Sequence, residues 1–225
     1  MRVLAIDTAL EACSAAVLER GIITASETLP MARGHAEALM PLVARVMDLA
    51  DIEFADLDRI AVTTGPGSFT GLRVGISATR GIALASGKPA IGLSTLAAFG
   101  APLIAEDDNT NVVAAIDARH DNVYLQVFGA GGRTLVAPRI ATLRDAVRAA
   151  TTGPARIIGT AAAQVAAAWP KGAEPPLQVE QLRAPDIVWI ARLGAAATEG
   201  YGPPKPLYLR APDAQPQDAA RLPRR

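Results

Sequence analysis

Residues Gly65 to Gly75, GPGSFTGLRVG, form the stretch whose residue types could do chemistry. Four glycines and a proline in eleven residues, set between an apolar run and a helical pattern, make a loop. Gly65, Gly67 and Gly71 permit positive φ and close backbone approach. Ser68 and Thr70 can cap the helix that follows, whose N-terminal N–H groups carry partial positive charge. Such a loop (Gly65, Pro66, Gly67, Ser68, Phe69, Thr70) could cradle an anion or simply pack the helix on a sheet. It is neither a Walker A loop nor a Rossmann GxGxxG, and GPGSF is not the GxSxG elbow of a serine nucleophile. The other reactive groups are scattered. Asp7 ends an apolar run and reads as a turn-bonding residue. His35, in ARGHAE, has no second imidazole three or four residues away and reads as a helix-start or interface residue. His120 reads as a turn residue and Cys13 as a buried thiol. No catalytic residue and no metal ligand is assigned.

Composition supports that reading. One cysteine excludes an intramolecular disulfide framework, and two histidines are too few for a His-rich metal site. Lys plus Arg equals Asp plus Glu, 22 each, so the chain is not expected to grip a polyanion alone. Half the residues are hydrophobic but only 4% are aromatic, which means a core of closely approached small side chains. Met1 runs directly into RVLAID, and no apolar stretch is long enough for a membrane span. The expectation is a soluble, cytoplasmic protein.

The elements around the loop follow from periodicity. Val3 to Ile6, Ser14 to Leu18 and Ile22 to Leu29 read as a meander of three strands, turning at Gly21. Leu39, Leu42, Val43, Val46 and Leu49 fall at helical spacing within 36–50. Ile60 to Val62 is a strand, the loop follows, and a helix runs from about Thr70 to Ala85. Gly71, Gly75 and Thr79 recur every four residues on it, as do Gly81 and Ala85 on another face. Small residues so spaced make a low ridge for a second helix. Ala90 to Leu93 is a strand, and Ser94 caps a helix towards Ala101. The polar break at 106–109 divides the chain into a first lobe, 1–107, and a smaller second lobe, 108–225. Val112 to Asp117 and Val123 to Phe128 are strands. Thr142 to Ala150 and Ala161 to Ala168 are helices, with strand Ile157-Ile158 between them, and Ile187 to Thr198 is an amphipathic helix. The end is rich in Pro and Arg and reads as an extended segment with a frayed tail.

The strings LAIDTALEACSAAVL, GHAEALMPLV, GPGSFTGLRVGISATRGIALASGKPAIGLSTLAAF, DARHDNVYLQVF and PLYLR together resemble the TsaB (YeaZ) family. The resemblance spans the chain and is densest in the first hundred residues. It implies an α/β protein with the two-lobed actin-like ATPase (ribonuclease H-like) fold, its mixed sheets flanked by helices. It further implies a non-catalytic companion of a TsaD-type paralogue and of the ATPase TsaE, in forming N6-threonylcarbamoyladenosine at tRNA position 37. A homodimer is expected when the paralogue is absent, and tRNA contact only through the complex. TsaD-like paralogues carry two metal-binding histidines where this chain has Thr95 and Phe99. ATPases of this fold carry Asp-x-Gly-Thr/Ser where it has Asp7-Thr8-Ala9. No metal, cofactor or autonomous ATP hydrolysis is therefore expected. The partner surface is expected on the first two helices, at Leu39, Leu42, Val43, Val46, Gly71, Gly75, Ala78 and Arg80. The rival readings are a degenerate ATPase or peptidase acting alone and a regulatory homodimer.

Overall fold

The computed structural model describes residues 1–107, 109–198 and 203–210. The basic tail beyond residue 210, singled out in the sequence, lies outside the described residues.

The first lobe begins with the expected meander. Strands β1 (Arg2–Asp7), β2 (Ala12–Glu19) and β3 (Ile22–Pro30) pair antiparallel. Helix α1 (His35–Leu49) leads to β4 (Arg59–Gly65), which joins β1 in parallel. Helix α2 (Phe69–Ser86) then leads to β5 (Ala90–Ser94), parallel to β4. The sheet order is β3-β2-β1-β4-β5. Helix α3 (Thr95–Glu106) follows.

The second lobe repeats the plan. Strands β6 (Asn111–Asp117), β7 (Asn122–Phe128) and β8 (Thr134–Thr142) form a meander, and α4 (Leu143–Ala150) follows. Then come β9 (Ala155–Gly159), α5 (Ala162–Ala167), β10 (Gln178–Gln181) and α6 (Ile187–Ala196). The order β10-β9-β6-β7-β8 matches the first sheet strand for strand. Two such sheets in one chain are the two-lobed actin-like ATPase architecture.

Two strands escape the sequence pattern. In β8, Pro138 interrupts the run; the strand lies at a sheet edge, where a missing N–H costs no ladder bond. β10 is four residues long, follows a Pro-rich loop and is also an edge. Helix α3 also outruns its expected end at Ala101, continuing through Pro102.

Strand alternation sets the layers. Leu4 and Ile6 of β1, Val17 of β2 and Val62 of β4 face α1 and α2 in one buried cluster. Val3 and Ala5 of β1 and Ala61 of β4 face the opposite way, onto Ile187, Ile190 and Ala191 of α6. In the second sheet, Val113, Leu125 and Ile157 face α4 and α5. Val112, Ala114 and Ile158 pack on Leu96, Phe99 and Leu103 of α3. Thus α3, from the first half of the chain, covers the second sheet, and α6, from the second half, returns to the first. Two arginines secure the exchange. Arg59 donates to the carbonyls of Gly194 (3.2 Å) and Ala197 (2.6 Å) at the end of α6. Arg156, 5% exposed, donates to the carbonyl of Leu103 at 2.6 Å and to that of Asp107, closing the end of α3. Among the described residues no helix is long and apolar enough to cross a membrane.

Candidate functional site: glycine loop and outer helical face

The glycine loop joins β4 to α2 and lies against the end of β1. A Cβ on Gly67 would overlap the Ala9 carbonyl oxygen, and one on Gly71 that of Thr8. Only glycine allows this approach. The contact engages three of the loop's polar groups and the Ser68 hydroxyl. Ser68 N donates to the Ala9 carbonyl at 2.7 Å. Gly71 N donates to Ser68 Oγ at 3.3 Å, and Thr8 Oγ1 donates to the Gly71 carbonyl at 2.7 Å. Of the two uses open to the loop, the structure shows it packed on the chain itself, with the Ser68 and Gly71 N–H groups directed at protein acceptors.

Asp7 sits beneath this contact, fully buried. Its Oδ1 accepts from Thr63 Oγ1 and, at 3.2 Å, from Ala9 N, the turn-bonding role read from sequence. Burial raises its pKa from 3.8 to about 6 against the opposing hydrogen bonds. His35 begins α1 and its Nε2 lies 3.0 Å from the Leu10 carbonyl, which can only accept, so Nε2 carries the proton. Cys13 lies within β2, where burial first, then Asp7 and Glu27, push its thiol up to about 11. His120 stands in the β6–β7 turn between Arg119 and Asp121, all three with positive φ. Thr95 and Phe99 are both buried on α3.

The rest of the loop is tied to 203–210. Leu207 N donates to the Thr64 carbonyl at 2.7 Å. Tyr208 stacks on Phe69 with centroids 5.4 Å apart, and Arg73 lies 3.8 Å over the Phe69 ring. Arg210 Nη1 donates to the Ala118 carbonyl, so the segment touches both lobes.

Helices α1 and α2 pack side by side on the first sheet. Leu39, Leu42, Val43 and Val46 are at most 1% exposed and belong to this lobe's own core. Gly71 and Gly75 face β1: a Cβ on Gly75 would overlap Thr8 Oγ1 and lie 3.4 Å from Val62. The sheet covers these six positions. Ala78 and Arg80 remain at the outer face. Sequence reasoning did not assign the rest of that face. Met40, Phe54, Ala55, Ala78, Gly81, Ile82, Ala85 and Ser86 line an open, mostly apolar groove of about 480 Å³ between α1, the turn at Phe54–Asp56 and α2. Leu84 (87% exposed) and Leu49 (70%) also lie on these two helices. A Cβ on Gly81 would meet nothing within 4 Å. The signal was in the sequence as the Gly81/Ala85 repeat, four residues apart like the Gly71/Gly75 repeat but on another face.

The fold and this site define a protein with the two-lobed actin-like fold, a self-packed glycine loop and an uncovered helical face. Residues 27–183 match the family model described as TsaD: tRNA N6-adenosine threonylcarbamoyltransferase. The chain is 42% identical over 125 residues to the tRNA threonylcarbamoyladenosine biosynthesis protein TsaB of Escherichia coli, covering 55% of this chain and 53% of that protein. It thus spans about half the length of the curated TsaB relatives that it first matches. An uncharacterized protein of Mycobacterium tuberculosis, Rv3421c, is 33% identical over 216 residues, with 95% and 94% coverage. The solved structure of YeaZ from Pseudomonas aeruginosa superposes with a TM-score of 0.79 at 30% identity, covering 92% of this chain and 99% of that one. The chain belongs to the TsaD-related family, in its TsaB (YeaZ) branch.

Proposed function

We propose that this chain is an accessory subunit in forming N6-threonylcarbamoyladenosine at tRNA position 37. It pairs through the outer face of α1 and α2 with a TsaD-type threonylcarbamoyltransferase, holds that subunit in its active arrangement, and helps recruit a TsaE-type ATPase. Catalysis stays with the partners, and the chain works in the cytoplasm. The division at 107/108 is part of the same reading: the first lobe carries the partner face and the second is free for other contacts. One observation carries the proposal. An apolar groove lined by Met40, Phe54, Ala78, Ile82 and Ala85 is left open on a chain whose relatives are named for this modification. Contiguous exposed apolar surface is costly unless a partner covers it. The small residues Ala78, Gly81 and Ala85 of α2 leave room for the close approach of a helix from a related subunit. A second copy of the chain offers the same pair, so homodimer and heterodimer compete for one surface.

The test is co-purification of the chain with TsaD-type and TsaE-type proteins of the same organism, for the native protein and Gly81→Leu. The native chain is expected to form the complex and to support modification of tRNA. Gly81→Leu is expected to stay folded and lose both homodimer and complex. A folded Gly81→Leu variant that still forms both assemblies at native affinity would refute the surface. Failure of the native chain to bind the TsaD-type protein would refute the function.

A further inference from the structure

The formal charge of zero conceals an uneven distribution. Between Arg133 and Thr152 there are four arginines, Arg133, Arg139, Arg144 and Arg148, against the single carboxylate Asp145. The fold gathers three of them around one feature. Arg139 stands on the edge strand β8 opposite Leu125, whose side chain belongs to the core beneath α4 and α5. Cross-strand partners share a face, so Arg139 lies on the α4 side. Arg148 is on α4, and Arg144, four residues earlier, shares its face. Arg139, Asp145, Arg148 and Thr152 are among the residues lining an open groove of about 460 Å³ between β8 and α4.

The one carboxylate there is already engaged. Thr142 Oγ1 donates to Asp145 Oδ2 at 2.9 Å and accepts from Asp145 N at 3.2 Å, a reciprocal cap on α4. The guanidinium groups of Arg139, Arg144 and Arg148 make no ion pair or hydrogen bond among the described residues. Two like charges four residues apart on a helix repel. Three exposed arginines against one carboxylate leave a positive surplus that fits an anion supplied from outside, and the guanidinium fork suits phosphate oxygens.

We propose that this groove on the second lobe holds the phosphate backbone of an RNA, with Arg139 and Arg148 as the gripping pair and Arg144 extending the track. The choice of RNA backbone rests on the tRNA-modification reading above and on the groove's lining. It has no aromatic side chain on which a base could stack, and Ile140 is the one large apolar side chain in its lining. The paired guanidinium groups at its rim read a backbone without regard to sequence. The groove lies on the layer of the molecule farthest from α1 and α2, so a partner on the first lobe leaves it open. Overall neutrality makes the contact weak and strongly salt-dependent.

The test is binding of a fluorescently labelled tRNA by the full chain between 50 and 200 mM salt. It compares the native protein, Arg139→Gln/Arg148→Gln, and the control Arg20→Gln/Arg33→Gln on the first lobe, with melting curves confirming the fold of each. Each phosphate contact contributes about 0.7–0.9 to the slope of log affinity against log salt. The groove variant should therefore lose about 1.4–1.8 of slope, the single variant Arg148→Gln about half of that, and the control none. Four results would overturn the proposal: no native binding at 50 mM salt, an unchanged slope, an equal loss in the control, or displacement of the tRNA by polyglutamate at matched charge. Competition by millimolar ATP confined to the part of binding that needs Arg139 and Arg148 would assign the groove to a free nucleotide and overturn it too. Capture of a TsaD-type protein by the native chain and by the groove variant tests the underlying reading separately. Loss of capture by the native chain defeats that reading, whereas loss of the slope difference alone defeats only the groove.

Discussion

Gly75 and Gly81 sit six residues apart on one helix, and alanine at each should move stability in opposite directions. Helix propensity alone favours alanine at both positions by about 1 kcal/mol. At Gly81 nothing lies within 4 Å of the new methyl, so Gly81→Ala should realise that gain. At Gly75 the methyl would overlap Thr8 Oγ1 and press on Val62 at 3.4 Å. Thr8 is 1% exposed, and its hydroxyl holds the Gly71 carbonyl at 2.7 Å. It can yield only by giving up that bond, worth about 0.5–1.5 kcal/mol, or by pushing α2 off β1, an overpacking cost of about 1–3 kcal/mol. Set against the propensity gain of about 1 kcal/mol, the overpacking route leaves Gly75→Ala a net loss of about 0–2 kcal/mol. For a chain of this size each kcal/mol moves Tm by about 2–4 °C. Thermal and urea melts of both variants decide the matter. They should be run at two protein concentrations, since dimerisation would add a concentration-dependent contribution. A Gly75→Ala protein more stable than the native one would refute the close contact between α2 and β1. If the two variants shifted in the same direction, propensity rather than packing would be setting the outcome.

Three further expectations follow from buried polar groups and from the loop. The Asp7 pKa is raised in the fold from 3.8 to about 6, so its contribution is fully favourable below pH 4 and is lost as pH rises through 6. Asp7→Asn should therefore gain about 2 kcal/mol relative to the native protein between pH 4 and pH 7, read from urea melts across that range; a constant difference would show that the native carboxyl titrates normally. Arg156→Ala should cost about 1.5–3 kcal/mol by leaving the ends of α3 and its neighbours without their charged donor, whereas Arg183→Ala, at an 83% exposed side chain, should cost almost nothing; equal melts would contradict this. Because Ser68 N and Gly71 N are already bonded within the protein, the isolated chain should show no turnover of ATP or of peptides, and activity lost on Asp7→Ala or Ser68→Ala would defeat that expectation.

Local patterns in the sequence were enough for the opening meander, α1, α2 and the glycine loop. Their information lies in short-range alternation, capping residues and glycine spacing. The family was legible for the same reason, since its motifs are contiguous strings. The direction each helix faces was not legible. In a chain so rich in small apolar side chains, α2 has two ridges of the same spacing, Gly71/Gly75 and Gly81/Ala85, and periodicity marks both. Only the docking of α2 on β1, with Thr8 filling the space beside Gly75, decides that the first ridge is inside and the second outside. The same docking takes Leu39, Leu42, Val43 and Val46 into the core. Edge strands β8 and β10 went unread because edge position is a property of the sheet, and it is what lets Pro138 stand in a strand. The exchange of α3 and α6 between lobes rests on contacts between residues that stand far apart in the chain, such as Gly194 of α6 with Ala61 and Val3. The arginines of β8 and α4 were visible as letters, but their charge cancelled in the total. Tertiary structure made them a site by bringing an edge strand beside a helix and tying up the carboxylate between them.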